Sequence, residues 1–334
     1  MRASRGNPAL AELVAKCVAP TQLTQLASRV HLINGGPGRE TLVKRDDELG
    51  GFPASGTKIR KYASLIPALR SQGVRNVALV GSPSSNNIVA LSAALIQHGM
   101  RPIPCFKQSA LRPTPAVNAR LTALLVPPEH WHIMHDEQNL QAELEAKLQE
   151  SVFVLPEGAS HPLALPGAAT LALDIARHVE EGALAPDAAL FLDSGTGFSA
   201  AAVCAAASLL EWQHPIYVVC MAGTAPFRES LDRALVALPA LIGQSPVPAP
   251  PSLTVLQPRA GGKSFGGTTS ALQGFIAHIA RTSGLLVDPI YSGKLFQEAY
   301  RVIGEMPIGG PSPLIVHSGA AHTLLGFDSL FPHS

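Results

Sequence analysis

Seven short apolar runs, at residues 76–80, 101–105, 151–155, 189–192, 215–219, 253–256 and 314–317, are separated by segments with the 3.6-residue period of a helix. Strands that alternate with helices in this way pair in parallel, and a parallel sheet must be covered on both faces. The chain is therefore an α/β protein. The helical segments support this: 86–98 aligns Ile88, Leu91 and Leu95, 170–181 aligns Leu171, Ile175 and Val179, and 294–304 aligns Leu295, Ala299 and Val302. Residues 244–252 (QSPVPAPPS) suit neither a helix nor a central strand and are expected to run over the surface.

At 334 residues the chain exceeds what one hydrophobic core usually supports, so two domains are expected. The strand and helix units that follow Lys58 fit a smaller α/β domain at 60–165, inserted into a larger one built from 1–59 and 166–334. Lys and Arg number 25 against 24 Asp and Glu, a formal net charge of +1 that offers no electrostatic footprint for nucleic acid or an anionic membrane. The mean hydropathy is +0.21. Even so, the longest apolar stretch, 200–210, is shorter than the roughly 20 residues of a membrane span. The first ten residues carry Arg2 and Arg5 but no apolar signal core, so a cytoplasmic location is expected. Cys17, Cys105, Cys204 and Cys220 are scattered and read as core residues, and the His pairs 130/132 and 317/322 lack metal-ligand spacing. No metal is expected.

Chemistry is concentrated at Asp193-Ser194-Gly195-Thr196-Gly197-Phe198-Ser199, where an apolar strand enters and an Ala-rich helix leaves. Backbone N–H groups and the positive end of the helix converge on an anion in such a loop. Gly195, Gly197 and Ala200 also satisfy the dinucleotide pattern GxGxxA. The next strand, however, ends in Val-Val-Cys-Met, without the carboxylate that holds a ribose. Gly261-Gly262-Lys263-Ser264 ends like a P-loop, but Gln257 stands where that loop requires glycine.

Lys44-Arg45-Asp46-Asp47 is followed by Gly56-Thr57-Lys58-Ile59-Arg60-Lys61, Ser85-Asn86-Asn87, Leu155-Pro156-Glu157-Gly158-Ala159, the loop at 195–199, Asp288-Pro289-Ile290-Tyr291-Ser292-Gly293-Lys294 and His317-Ser318-Gly319-Ala320. In this order the motifs resemble the aminocyclopropane-carboxylate deaminase and D-cysteine desulfhydrase family over nearly the whole chain. The resemblance implies two three-layer α/β/α domains of the tryptophan-synthase-β-like kind, pyridoxal 5′-phosphate as cofactor, a small amino-acid substrate and a homodimer. It also implies residue roles. Lys58 binds the cofactor covalently and, once released, removes the substrate's α-proton. Lys61 and the loop Gly195, Thr196, Gly197, Phe198 and Ser199 hold the phosphate. Asn86 bonds the ring oxygen, Ser292 and Ser318 lie by the ring nitrogen, and Ser85 and Tyr291 face the reacting carbon. Read without the resemblance, Ser85 and Asn86 are a helix N-cap, which is compatible with those roles.

The departures bear on substrate. Ser292 stands where ring-opening deaminases carry Glu, and hydroxyls from Ser292 and Ser318 would leave the ring nitrogen neutral, a weaker electron sink that favours loss of a β-leaving group. Thr57 replaces the usual Asn, Asn87 replaces His or Gln, and Phe265 replaces a tyrosine, so the substrate pocket around Ser85, Asn87, Phe265 and Tyr291 is rebuilt. The expectation is a lyase catalysing β-elimination or β-replacement, D-cysteine desulfhydrase-like with altered specificity. The alternatives are an aminocyclopropane-carboxylate deaminase and a non-catalytic cofactor-binding homologue.

Overall fold

The computed structural model describes residues 7–34, 36–52, 54–107, 110, 116–259 and 266–330. Among the described residues there are ten strands: β1 Val30–Ile33, β2 Thr41–Lys44, β3 Asn76–Gly81, β4 Arg101–Lys107, β5 His132–Met134, β6 Val152–Leu155, β7 Ala189–Ser194, β8 Ile216–Cys220, β9 Leu253–Leu256 and β10 Pro313–Val316. The helices are α1 Pro8–Cys17, α2 Pro20–Gln25, α3 Lys58–Ser71, α4 Asn86–Gln97, α5 Val117–Leu125, α6 Leu140–Leu148, α7 Leu165–Glu180, α8 Phe198–Leu209, α9 Thr224–Ala240, α10 Ser270–Ser283 and α11 Ser292–Glu305. Each apolar run of the sequence forms a strand. β1, β2 and β5 have no such run: β1 is an edge strand in which only Ile33 is buried, and β5 is three residues long.

The strands form two sheets, one in the order β1-β2-β10-β7-β8-β9 and the other β5-β4-β3-β6. Every pairing is parallel except β1 with β2. The smaller sheet lies wholly within residues 76–155, and the larger uses strands from both sides of that segment. Helix α3 packs on the smaller sheet with one face and on α1 and α7 with others. Tyr62, Leu65, Ile66 and Leu69 join the core of the smaller sheet, while Ala63 packs with Val14, Val18 and Leu49. Against α7 the approach is close: a Cβ on Gly167 would stand 2.1 Å from the Arg60 carbonyl oxygen.

Strand order decides where a ligand can sit. β10, last in the chain, lies between β2 and β7, and open parallel sheets bind ligands at the carboxyl ends of such strands. Residues 195–197 follow β7 there, and 317–320 follow β10.

Between α3, β2 and α7 lies a buried ionic cluster. Arg60 donates through Nε to Asp46 Oδ2 at 2.6 Å and through Nη2 to Asp46 Oδ1 at 2.7 Å and Asp174 Oδ2 at 3.0 Å. Lys44 is bonded to Asp174 and to Ser28, and Ser28 Oγ donates to Asp46 at 2.6 Å. Burial alone would raise the Asp174 carboxyl, but the Arg60 and Lys44 cations bring it down to about 2. Removing one partner of such a cluster leaves a buried charge uncompensated.

Candidate active site

Lys58 is the first residue of α3, and the segment before it is held by the residues that follow β10. Thr57 N donates to Ser318 O at 3.0 Å. Gly56 makes this possible: it has φ +50, and a Cβ there would stand 2.1 Å from that carbonyl oxygen. The lysine is held where desolvation lowers its pKa, and the Asp193 and Asp288 carboxylates only partly oppose the shift. Lys61 lies one turn along the same face. Its Nζ donates to Gly158 O at 2.6 Å and to Asn87 Oδ1 at 3.1 Å. Burial first, and the Lys58 charge second, push Lys61 down to about 7. Two amines of lowered basicity thus stand side by side.

The loop after β7 faces them. Helix α8 starts at Phe198 with Gly197 as its N-cap, a residue with no side chain to offer the first-turn N–H groups. Gly158, at φ +73, abuts this loop so closely that a Cβ would meet Thr196 Oγ1 at 2.3 Å. Lys61, through Gly158, therefore borders Thr196. The Tyr291 ring covers the loop from above: a Cβ on Gly195 would lie 3.0 Å from Tyr291 Cε1. Desolvation, then Asp288, Asp193 and Glu157, raise the Tyr291 phenol, which stays protonated across the neutral range.

Ser85 is the N-cap of α4, its Oγ accepting from Asn87 N at 3.2 Å and Ile88 N at 3.4 Å. Accepting leaves its own O–H available as a donor. Asn86 and Asn87 are buried, and Asn87 Oδ1 takes a second hydrogen bond from Tyr62 OH at 2.9 Å. Asn118, outside every motif of the sequence, donates from Nδ2 to Asn86 Oδ1 at 2.9 Å. Phe265 lies outside the described residues, as does the Gly261 to Ser264 segment.

Two acids that the motifs did not single out stand behind Ser292 and Ser318. Ser292 Oγ donates to Asp288 Oδ2 at 2.7 Å. The Ser318 hydroxyl bonds the Asp193 carboxylate. Each serine hydroxyl thus has a carboxylate as its hydrogen-bond partner. Asp288 is wholly buried and organises the turn before α11, accepting from Ile290 N and Tyr291 N at 2.8 Å each and from Ser292 N at 2.9 Å. Asp193 is pushed up to about 6 by burial, which the Ser318 hydrogen bond and the Lys58 charge only partly counter. Both acids lie within quoted motifs, but a carboxylate beside a glycine loop or a Pro turn has no local signature of function.

The site fits an anionic aldehyde cofactor: an uncapped helix start for a phosphate, a lysine of lowered basicity, and a buried amide pair beside them. Among the described residues no group of His, Cys, Asp and Glu is arranged to hold a metal ion, and no described helix is long and apolar enough to cross a membrane. The family described as pyridoxal-phosphate dependent enzymes matches residues 14–319, and the chain belongs to it. The curated relatives it is similar to include D-cysteine desulfhydrases and putative 1-aminocyclopropane-1-carboxylate deaminases. A D-cysteine desulfhydrase from Serratia proteamaculans is 24% identical over 304 residues, 87% of this chain and 89% of the relative. One from Salmonella paratyphi A is 22% identical over 320 residues, 92% and 94% of the two chains. The crystal structure of an ACC deaminase homologue shares the fold with a TM-score of 0.78 at 20% identity, covering 97% and 99% of the two chains. The nicotinamide reading of GxGxxA falls with these findings.

Proposed function

We propose that the enzyme removes the α-proton of a small amino acid and expels a β-substituent, as a D-cysteine desulfhydrase-like lyase. The observation that carries this is Lys58: an amine of lowered basicity at the start of α3, beside Lys61 and across from the loop at residues 195–197. Pyridoxal phosphate, when bound, supplies the electron sink for charge that develops at the α-carbon. Lys58 supplies the base, because desolvation leaves a larger fraction of the amine unprotonated near neutral pH. The α8 start and Lys61 would hold the phosphate, and Asn86 the ring oxygen. The Ser85 hydroxyl and the N-terminal turn of α4 would bind the substrate carboxylate. Tyr291, its phenol kept protonated, can donate to a departing group. With D-cysteine the C–S bond breaks, sulfide leaves with the bonding pair, and water completes conversion to keto acid and ammonium.

One observation favours a second reading. Asp193 and Asp288 stand behind the two serines, so the charge needed for a stronger electron sink is nearer than Ser292 alone implies. That would suit cyclopropane ring opening. The test is keto acid release from D-cysteine, β-chloro-D-alanine, D-serine and 1-aminocyclopropane-1-carboxylate. Turnover of the first two with little of the last is expected; rapid turnover of the cyclopropane substrate alone overturns the primary reading.

A further inference from the structure

The Asn86 side chain can face the cofactor with either its N–H₂ or its oxygen, and only the first can bond an anionic ring oxygen. Its orientation is settled by a chain of hydrogen bonds that begins elsewhere. Asn118, the second residue of α5, donates from Nδ2 to the Ser84 carbonyl oxygen at 2.7 Å. A carbonyl can only accept, so the amide nitrogen of Asn118 must point that way. The second proton of that nitrogen goes to Asn86 Oδ1 at 2.9 Å. With its oxygen taken, Asn86 has its Nδ2 left for the other side. Asn118 Oδ1 in turn lies 2.7 Å from His322 Nε2. Since Asn118 has no remaining donor, His322 must carry its proton on Nε2.

His322 comes from the 3-10 turn Ala321–Gly326, the continuation of the segment in which Ser318 meets Thr57 and Asp193. This turn packs on the start of α5, where a Cβ on Gly326 would lie 3.0 Å from Val117 Cγ2. Asn118 is buried. The segment after β10 therefore touches the Lys58 turn on one side and, through His322 and Asn118, the Asn86 amide on the other.

We infer that Asn118 and His322 are positioning residues that fix the Asn86 carboxamide with Nδ2–H toward the ring oxygen of pyridoxal phosphate. The inference rests on the reading that Asn86 borders that oxygen. Asn118→Asp is the sharpest probe. An aspartate still accepts from His322 but can donate neither to Ser84 O nor to Asn86 Oδ1, so it draws the Asn86 N–H₂ to itself and turns an oxygen toward the cofactor. His322→Leu removes the donor that holds Asn118, and His322→Gln restores a donor of similar reach.

The readout is the pH midpoint of the cofactor's visible absorption band, with the titratable neighbours Lys58, Lys61, Asp193 and Tyr291 kept in every variant. A donor to the ring oxygen stabilises its anion, so its loss raises the midpoint. Asn118→Asp is expected to raise it by about one pH unit, a tenfold change in proton affinity. His322→Leu should shift it in the same direction by less, and His322→Gln should return it to the wild-type value. Melting of the cofactor-free proteins separates these effects from misfolding; if Asn118→Asp does not fold, the two His322 variants decide. Wild-type midpoints in all folded variants overturn the inference. Absence of any visible band in the wild-type protein would instead remove the reading on which it rests.

Discussion

Helix α3 carries two kinds of cation within four residues. Arg60 points into the cluster with Asp46 and Asp174, where both carboxylates bond it and every charge has a partner. Lys58 lies near Asp193, and Lys61 near Gly158, which abuts Thr196, and both amines are lowered by burial. Lys61 there bonds a carbonyl and an amide oxygen. Arg60 and Lys61 are similarly buried and the outcome is opposite. Compensated charge fixes α3 against β2 and α7; undercompensated charge on the same helix is poised to change protonation state and to receive an anion.

The largest expected effect breaks the undercompensated side. Lys58→Ala should abolish the visible cofactor band and lower keto acid production by about 10⁴-fold, measured against a wild-type control of equal fold content. On the compensated side, Arg60→Met should cost about 3–5 kcal/mol in denaturant unfolding, because Asp46 is left as an unpaired buried charge. A loss under 1 kcal/mol would contradict that picture. Gly158→Ala forces a methyl group toward Thr196 at a positive φ, and should cost about 2 kcal/mol and weaken cofactor retention on dialysis.

The smallest effect is a difference in sign with pH. The Asp174 carboxyl, at about 2, lies below its unfolded value, so its stabilisation is complete above that unfolded value and is lost as pH falls through about 2. Asp193, at about 6, lies above its unfolded value; the cofactor-free protein is least burdened at low pH and loses stability as pH rises through about 6. Asp193→Asn should therefore be neutral near pH 4 and stabilise the cofactor-free protein by about 2 kcal/mol at pH 7.5. A pH-independent difference would place Asp193 outside the desolvated site.

The sequence showed much of this arrangement because strand period and motif order are local properties. β3, β4 and β6 through β10 were legible as apolar runs, and the Lys58 helix and the loop at 195–199 as motifs. What escaped detection depends on partners far along the chain. Asn118 acquires its role only when α5 comes beside Asn86, 32 residues earlier, and Arg60 finds Asp174 114 residues away. Ser292 and Ser318 were visible as residues, but their hydrogen-bond partners Asp288 and Asp193 were not. Edge strand β1 alternates too weakly to announce itself.

The division of labour within α3 is tested most directly by borohydride reduction of the purified protein followed by peptide mapping. Reduction makes the link between cofactor and lysine permanent and so marks the amine that carries it. The cofactor mass on Lys58, with Lys61 unmodified, is the predicted result. Label on Lys61, or no label on either residue, would contradict the assignment of Lys58 as the reactive amine of the site.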